Sequence, residues 1–509
     1  MRALTAAQMH AADTSGMAER GETALMAQAG ERLAEAIAHS THGEGPVVAF
    51  AGPGGNGGDA FAALALLPHA RQRIVYAMDA PEPSAARRDA EQRARASGVE
   101  VRAFPADEAA AREALSGAVL ALDGLLGTGS RPEPGAAMLP AIAALNRLER
   151  ERVLAIDAPT GVDATTGATS AHAVRAGATV TLGAPKIGLL LETARPHVGA
   201  LYVGDIGLGA HIAALGAPYY DVLTPEEFLA LLPARGDDSD KRSSGAPLVV
   251  AGSKQFPGAA VLCARGAARA GAGYVTLATS AAAADTIRTH LVEQVVVAYA
   301  DDEPKKTVED LLDLRRHSSA VALGPGLPLD EDTGWIVREF IIHLDLPFVA
   351  DASALFHLSK RTAILGGKHC VLTPHAGEFA RLSGLGTITP GERLERLRAF
   401  TTSTGVTTLL KGWSTLIDDG TTMHVNPTGT SALATAGTGD VLTGIISTLL
   451  AQGLSPVDAA RAGAYWHGLA GQRAHAIRHV GVMAGDLPDA LADALAGTPR
   501  PLGGLLRLF

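Results

Sequence analysis

Cysteine is nearly missing from this chain of 509 residues: only Cys263 and Cys370 occur, each inside an apolar stretch. That excludes a disulfide framework and any CxxC metal site. Aromatic residues are scarce, at 4%. Basic runs are absent too, and 43 Lys and Arg against 53 Asp and Glu leave a formal charge of -10. Neutralising nucleic-acid phosphates takes clustered Lys and Arg, so no nucleic-acid partner is expected. No apolar run reaches the ~18 residues of a membrane span, and Met1 to Ala38 lacks the apolar core of a signal peptide. The expectation is a soluble, cytoplasmic protein without a membrane partner.

What the chain has in quantity is apolar residues, 47% against 19% charged, and glycine, 58 residues in all. A large buried core is therefore feasible, and at about 150 residues per domain the length suggests two to four domains. Abundant glycine is the bias of α/β proteins with tight strand-to-helix turns, although Ala- and Gly-rich codon usage produces the same bias.

Strand and helix signals alternate along the chain. Leu25, Ala29, Leu33 and Ile37 share one helical face. Val47–Ala51, Val119–Leu122, Val153–Ile156 and Thr179–Leu182 are short apolar runs, each stopped by turn residues, as in a parallel sheet buried on both faces. Pro233–Gly245 is polar, charged and Gly/Ser-rich and reads as an exposed segment near a domain boundary. Alternation then resumes with a strand over Leu248–Ala251, a helix over Ala259–Ala270 that Gly271 can end, and a strand over Tyr274–Ala278. Two α/β domains of similar size are expected.

In the first half, Gly52-Pro53-Gly54-Gly55-Asn56-Gly57-Gly58-Asp59 follows a strand and precedes an Ala/Leu helix. Such a loop can present backbone N–H groups to an anion, or it can be a plain turn. Two more strands run into Asp123-Gly124-Leu125-Leu126-Gly127-Thr128-Gly129 and Asp157-Ala158-Pro159-Thr160-Gly161-Val162-Asp163. Carboxyl ends of parallel strands share one sheet edge, so these turns bring Asn56, Asp59, Asp123, Asp157 and Thr160 toward one crevice. One Asp after a strand is most often a helix cap; three Gly-rich turns of this kind are harder to read so.

In the second half, Ala434-Thr435-Ala436-Gly437-Thr438-Gly439-Asp440 opens a helix. Gly437 to Gly439 can form a concave row of N–H groups, and Asp440 could take a proton from a substrate hydroxyl, or simply cap the helix. Around it stand Thr373-Pro374-His375-Ala376-Gly377-Glu378, Leu410-Lys411-Gly412-Trp413-Ser414-Thr415, Gly324-Pro325-Gly326-Leu327, Asp351-Ala352 and Asn426-Pro427-Thr428-Gly429.

These segments carry two resemblances. GGNGGD, DGLLGTG and DAPTGVD, followed by Lys186-Ile187-Gly188-Leu189 and Gly204-Asp205-Ile206-Gly207, resemble the epimerase domain that acts on hydrated NADH and NADPH. The match covers about the first 210 residues, with Gly55 where that family has Asn and Thr160 where it commonly has Ser. GxGD, TPHxxE and LKGxxT, in that family's order over about residues 222 to 500, resemble the ADP-dependent dehydratase of the same hydrates.

The resemblance implies a Rossmann-like three-layer αβα domain over 1–215 and a ribokinase-like α/β domain over 222–505, with a homo-oligomer expected. It implies K⁺ on Asn56, Asp123 and Thr160, a set of oxygen donors with one formal charge that suits a weakly hydrated cation. It implies hydrate contacts from Gly55, Asn56, Gly57, Gly58 and Asp59, from Gly127, Thr128, Gly129, Ser130, Arg131, Pro132 and Glu133, and from Asp157. Asp157 and Lys186 are the expected proton acceptor and donor of epimerisation, although a lysine here could equally be solvated or paired with phosphate. In the second domain Ala259, Gly326, His375 and Asp440 would meet the hydrate. Lys411, Gly412, Trp413, Ser414, Thr415 and Gly439 would meet the adenine nucleotide, with ADP as phosphoryl donor, Mg²⁺ balancing charge and Asp440 as base. His375 has a plainer reading as a buried histidine bonded to backbone. Two other functions fit the same segments: a vitamin-precursor kinase in the second half, or a non-catalytic binding module in the first.

Overall fold

A computed structural model describes residues 1–129, 133–498 and 501–509. The chain divides into two compact units, Met1–Tyr220 with the C-terminal segment ending at Phe509, and Asp221–Thr498. The division at Tyr220 falls between the bounds 215 and 222, and the stretch Pro233–Gly245, exposed from Pro233 to Ser243, follows it inside the second unit. One expectation is corrected here. The chain's last strand, Leu505–Arg507, belongs to the first unit, where it pairs antiparallel with the strand Ala200–Gly204. Among the described residues, no helix is long and apolar enough to cross a membrane.

In the first unit, β1 (Val47–Ala51), β2 (Arg73–Ala77), β3 (Glu100–Ala103), β4 (Leu120–Gly124), β5 (Val153–Ile156), β6 (Ala178–Leu182) and β7 (Ala200–Gly204) are all parallel. They lie in the order 3-2-1-4-5-6-7. The order reverses between β1 and β4, the place where doubly wound sheets open a ligand crevice at their carboxyl ends. Alternation within β1 shows why both faces are covered. Val47, Ala49 and Ala51 join one apolar cluster with helices α1 (Ala6–Arg20), α2 (Glu22–Ser40) and α3 (Gly55–Ala65), while Val48 and Phe50 join a second cluster on the other face. The Gly-rich loop is shorter than its sequence suggests, because Gly55 to Asp59 already form the first turn of α3.

The second unit repeats the arrangement. Its strands are β8 (Pro247–Val250), β9 (Thr276–Ser280), β10 (Val295–Tyr299), β11 (Ala320–Leu323), β12 (Phe348–Ala350), β13 (Cys370–Leu372) and β14 (Thr407–Leu410), all parallel, then antiparallel β15 (Leu416–Asp418) and β16 (Thr422–Val425). The order is 10-9-8-11-12-13-14-15-16, reversing between β8 and β11. Helix α4 (Pro257–Arg269) packs on α6 (Thr438–Ala451) with almost no side chain between them: a Cβ at Gly444 would stand 2.1 Å from the Cys263 carbonyl, and one at Gly266 2.6 Å from that of Val441. That close approach fixes the N-terminus of α6, and Asp440 in its first turn, against the sheet.

Candidate active sites

At the carboxyl ends of β1, β4 and β5 a cavity of about 460 Å³ is walled by Gly54, Gly55, Asn56 and Asp59, by Leu126 to Gly129, and by Asp157 and Lys186. The β1 and β4 loops touch here, for a Cβ at Gly52 would lie 1.8 Å from the Leu125 carbonyl. Among the described residues no side chain caps the N-terminus of α3, which leaves its partial positive charge and free N–H groups for an anion. Gly55 faces open space, with no atom of the described residues beyond its own chain neighbours within 4 Å of where its Cβ would be. Gly57 and Gly58 are packing positions: side chains there would meet the Gly52 carbonyl at 2.2 Å and Met26 Cε at 2.6 Å. Glu133 is exposed and outside the cavity wall, and Ser130, Arg131 and Pro132 lie outside the described residues.

Asp157 adopts a left-handed backbone (φ 64°), a strained conformation for a residue with a side chain and one that clusters at functional sites. Its carboxylate accepts from the Lys186 ammonium, from the Leu182 N–H at 3.3 Å, and from both the N–H (3.1 Å) and the hydroxyl of Thr128. Burial would raise its pKa, but Lys186 and these donors outweigh burial and hold it below the usual carboxylate value. Asp59 is the opposite case: burial pushes it well above that value, and Asp157 and Asp13 add to the effect.

Of the three residues expected to hold K⁺, Asp123 and Thr160 bond each other, and Asn56 is joined to them through Leu126, whose N–H donates to the Thr160 hydroxyl at 3.1 Å. Asp123, fully buried, accepts from the Thr160 N–H and hydroxyl, both at 2.7 Å, and from the Leu125 N–H at 3.3 Å. Burial raises it to about 6 against those bonds. Asn56 donates to the carbonyls of Leu126 and Ile156, both at 3.0 Å. The donors are all oxygens or a rotatable amide with one carboxylate among them, a chemistry that fits a monovalent cation. The sequence did not single out His10, Asp13 and Glu22 from α1 and α2, which complete the wall.

The second site surrounds a cavity of about 550 Å³ lined by His375, Lys411, Gly412, Trp413, Thr415, Thr428 to Ser431 and Gly439, with His467 behind them. The TPH and LKG segments are adjacent because Lys411 N–H donates to the Pro374 carbonyl at 2.8 Å. Trp413, 55% exposed, presents a bare aromatic face to the cavity. Ser414 is buried and does not line it. Buried Arg393 braces the segment from behind, donating to the Leu410 and Lys411 carbonyls at 3.2 and 3.0 Å.

Lys411 pairs with Asp351 at 2.8 Å and lies 3.8 Å from Glu378, and the other Asp351 oxygen accepts from Thr443 at 2.8 Å. Burial alone would lower the lysine's pKa, but those carboxylates raise it, so it stays charged. Asp440 is raised to about 7, first by burial and then by Asp351 and Glu378, with Lys411 opposing. His467 is lowered to about 4 by burial, and its Nε2 lies 2.9 Å from the Thr438 carbonyl.

His375 bonds backbone, as its plainer reading held, yet it is exposed instead of buried. As the N-cap of α5 (Ala376–Ser383) its Nδ1 accepts from the Gly377 and Glu378 N–H groups, while the ring lines the cavity. Ala259 and Gly326 meet each other, a Cβ at Gly326 falling 2.9 Å from that of Ala259, and neither lines this cavity. Asp440 also lies off its lining, one residue beyond Gly439.

Comparison with known proteins agrees with both halves. Residues 247–493 match the family model described as NAD(P)H-hydrate dehydratase, and residues 22–188 the model described as YjeF-related protein N-terminus. The chain is 36% identical to the bifunctional NAD(P)H-hydrate repair enzyme Nnr of Moorella thermoacetica, over 96% of each chain. It is 37% identical to the protein of that name from Mycobacterium tuberculosis strain H37Rv, over 89% of each. A solved structure, the ADP/ATP-dependent NAD(P)H-hydrate dehydratase from Bacillus subtilis co-crystallised with ATP and Mg²⁺, matches 56% of this chain and 100% of its own at 31% identity, with a TM-score of 0.48. Identity at this level along nearly the whole length, across both units, shows that the chain belongs to the family of bifunctional NAD(P)H-hydrate repair enzymes.

Proposed function

We propose that the first unit interconverts the R and S forms of hydrated NADH and NADPH, and that the second dehydrates the S form at the expense of ADP, giving AMP and phosphate. The observation that carries this reading is the place of Asp440, in the first turn of a helix with no side-chain cap, beside Lys411 and a cavity with an aromatic wall, where burial and Asp351 raise its carboxyl to about 7. Hydroxide leaves poorly and phosphate leaves well. Asp440 takes the proton of the hydrate's hydroxyl as that oxygen receives the terminal phosphoryl group of ADP. Lys411 and the Gly439 N–H hold the transferred charge, which is where such reactions gain most of their rate. The ring nitrogen's electron pair then expels phosphate, and loss of a proton from the neighbouring carbon restores the ring double bond.

Ala259, Gly326 and His375 would contact the hydrate together with Asp440. Lys411, Gly412, Trp413, Thr415 and Gly439 would hold the nucleotide, with Trp413 stacked on adenine. Among the described residues no group of three or more His, Cys, Asp or Glu is placed to hold a metal alone, which suits an Mg²⁺ carried on the nucleotide's phosphates and neutralising them. In the first unit Asn56, Asp123 and Thr160 would hold K⁺, which supplies positive charge near the hydrate's phosphates. Gly55, Asn56, Asp59 and Gly127 to Gly129 would bind the hydrate itself, from the wall of the cavity. The protein would work as a cytoplasmic homo-oligomer with domains near 1–215 and 222–505, apart from the returning tail.

The test is incubation with a mixture of R and S hydrates, with and without ADP and Mg²⁺. Without ADP the two forms should equilibrate with no gain in dihydronicotinamide absorbance; with it, both should be recovered completely. A stable phosphorylated product, or consumption that stops with the R form left over, would overturn the reading.

A further inference from the structure

Lys186 has three N–H donors and spends all of them inside the protein, on Asp157, on the Thr181 hydroxyl at 3.0 Å and on the Leu182 carbonyl at 2.8 Å. Its side chain is 1% exposed. No donor is left for a ligand. Asp157 is committed as fully, with both oxygens occupied by Lys186, Leu182 and Thr128. A carboxylate so well satisfied is a weak base.

Two other carboxyls on the same cavity are in the reverse condition. Asp59 stands in the first turn of α3 and Asp13 near the middle of α1, and both line the cavity. Neither side chain makes a hydrogen bond or ion pair among the described residues. The other titratable groups on this wall are His10, Glu22, Asp157 and Lys186. Burial and then Asp157 raise Asp13, with Lys186 and His10 opposing, and Asp13 in turn raises Asp59. A carboxyl raised by a carboxyl across the same cavity keeps its proton where the other ionises, so one can serve as acid and the other as base.

Epimerisation imposes a matching requirement. The carbon bearing the hydroxyl must release its oxygen's proton on one face and regain it on the other, which a single group fixed to one wall serves poorly. We propose that Asp13 and Asp59 are the proton-carrying pair of the epimerase site, with Asp157 and Lys186 a fixed electrostatic platform beneath them. One carboxylate of the pair accepts the hydroxyl proton while the other, as the acid, protonates the ring nitrogen. The carbon–nitrogen bond breaks with its electron pair on nitrogen, leaving an aldehyde and an N–H. Rotation of the aldehyde and closure on its other face return both protons, so none is gained or lost. The proposal rests on the assignment of epimerisation to the first unit.

The experiment compares the full-length wild type with Asp13→Asn and Asp13→Glu. It reads kcat and KM for conversion of R to S hydrate over a range of pH, the dehydration of pure S hydrate, and thermal unfolding. Asp13→Asn is expected to lower kcat for epimerisation at least ~100-fold, with KM, dehydration and unfolding within a few-fold or a few degrees of wild type. It should also remove one limb of the pH profile, and Asp13→Glu should restore part of the rate. Epimerisation by Asp13→Asn within a few-fold of wild type, with the profile unchanged, overturns the pair. Absence of epimerisation in the wild-type chain overturns the underlying assignment instead, and the two failures are distinguished by that control.

Discussion

Replacing Asp440 by Asn perturbs stability and activity in opposite directions, and the structure sets the size of the first effect. Burial, Asp351 and Glu378 carry the carboxyl from an ordinary 3.8 to about 7, against Lys411. A rise of about three units corresponds to about 4 kcal/mol by which the fold prefers the protonated acid. The sign follows from linkage. Because the folded pKa is the higher one, this group's contribution to stability is intact below about pH 3.8 and is lost as pH rises through about 7. Asn keeps the shape and cannot ionise, so the variant should be the more stable protein, by about 2 kcal/mol near pH 5 and about 4 kcal/mol near pH 8. These are upper values, since ionised Asp440 can draw in water. Thermal unfolding of the full chain across that range measures the gap, and the second unit's transition is the one that ADP shifts upward. Dehydration of pure S hydrate should fall at least ~100-fold in the variant, while wild-type dehydration climbs with pH through about 7. An advantage that is absent near pH 8, or that does not change with pH, would refute the argument, as would activity within a few-fold of wild type.

Trp413→Ala should weaken ADP binding by about 1–3 kcal/mol, the worth of one base–aromatic stack, and abolish any quenching of tryptophan fluorescence by ADP. Gly55→Asn enters open space and should leave the melting temperature unchanged while lowering KM for epimerisation, because it adds an amide within reach of the nucleotide. Asp123→Ala strips the acceptor from Thr160 and Leu125; epimerisation should drop and cease to respond to K⁺, with dehydration of the S form near normal.

The sequence announces whatever is local. Glycine runs after apolar strands, an Asp in the first turn of α6 and a lysine in LKGW can all be read without knowing what faces them. Val47–Ala51 and Val153–Ile156 end where the apolar runs end, since a central parallel strand has nothing but its own burial to define it. What could not be read is what distant segments do to one another. Asp13 sits on an Ala-rich helix, where an acid looks like a solvated face until α3 closes the cavity beside it. The bond from Lys411 to Asp351 spans 60 residues. The backbone bonds of His375 were legible but its place as an exposed helix cap was not, because capping boxes are read from Ser, Thr, Asp or Asn, and an imidazole nitrogen accepts the same two N–H groups. The strand at Leu505–Arg507 is three residues long, too short for any periodicity to register.

Set side by side, the two sites differ where their chemistries differ. Each places an aspartate after the second strand beyond the reversal of its sheet, Asp157 after β5 and Asp351 after β12. Each turns the chain there through a left-handed residue with a side chain, Asp157 itself (φ 64°) or Ala352 (φ 50°), conformations that cost of order 1–3 kcal/mol and persist only when the surroundings enforce them. Each aspartate is met by a lysine from a later strand end. The lysines are not equivalent. Lys186 is 1% exposed with every donor spent, whereas Lys411 is 24% exposed and borders the cavity. Phosphoryl transfer moves negative charge from one oxygen to another and needs a cation that can follow it at the ligand. Epimerisation ends with the charges it began with, so its lysine can be sealed away as a counter-ion, and the moving protons fall to carboxyls that no other described residue holds.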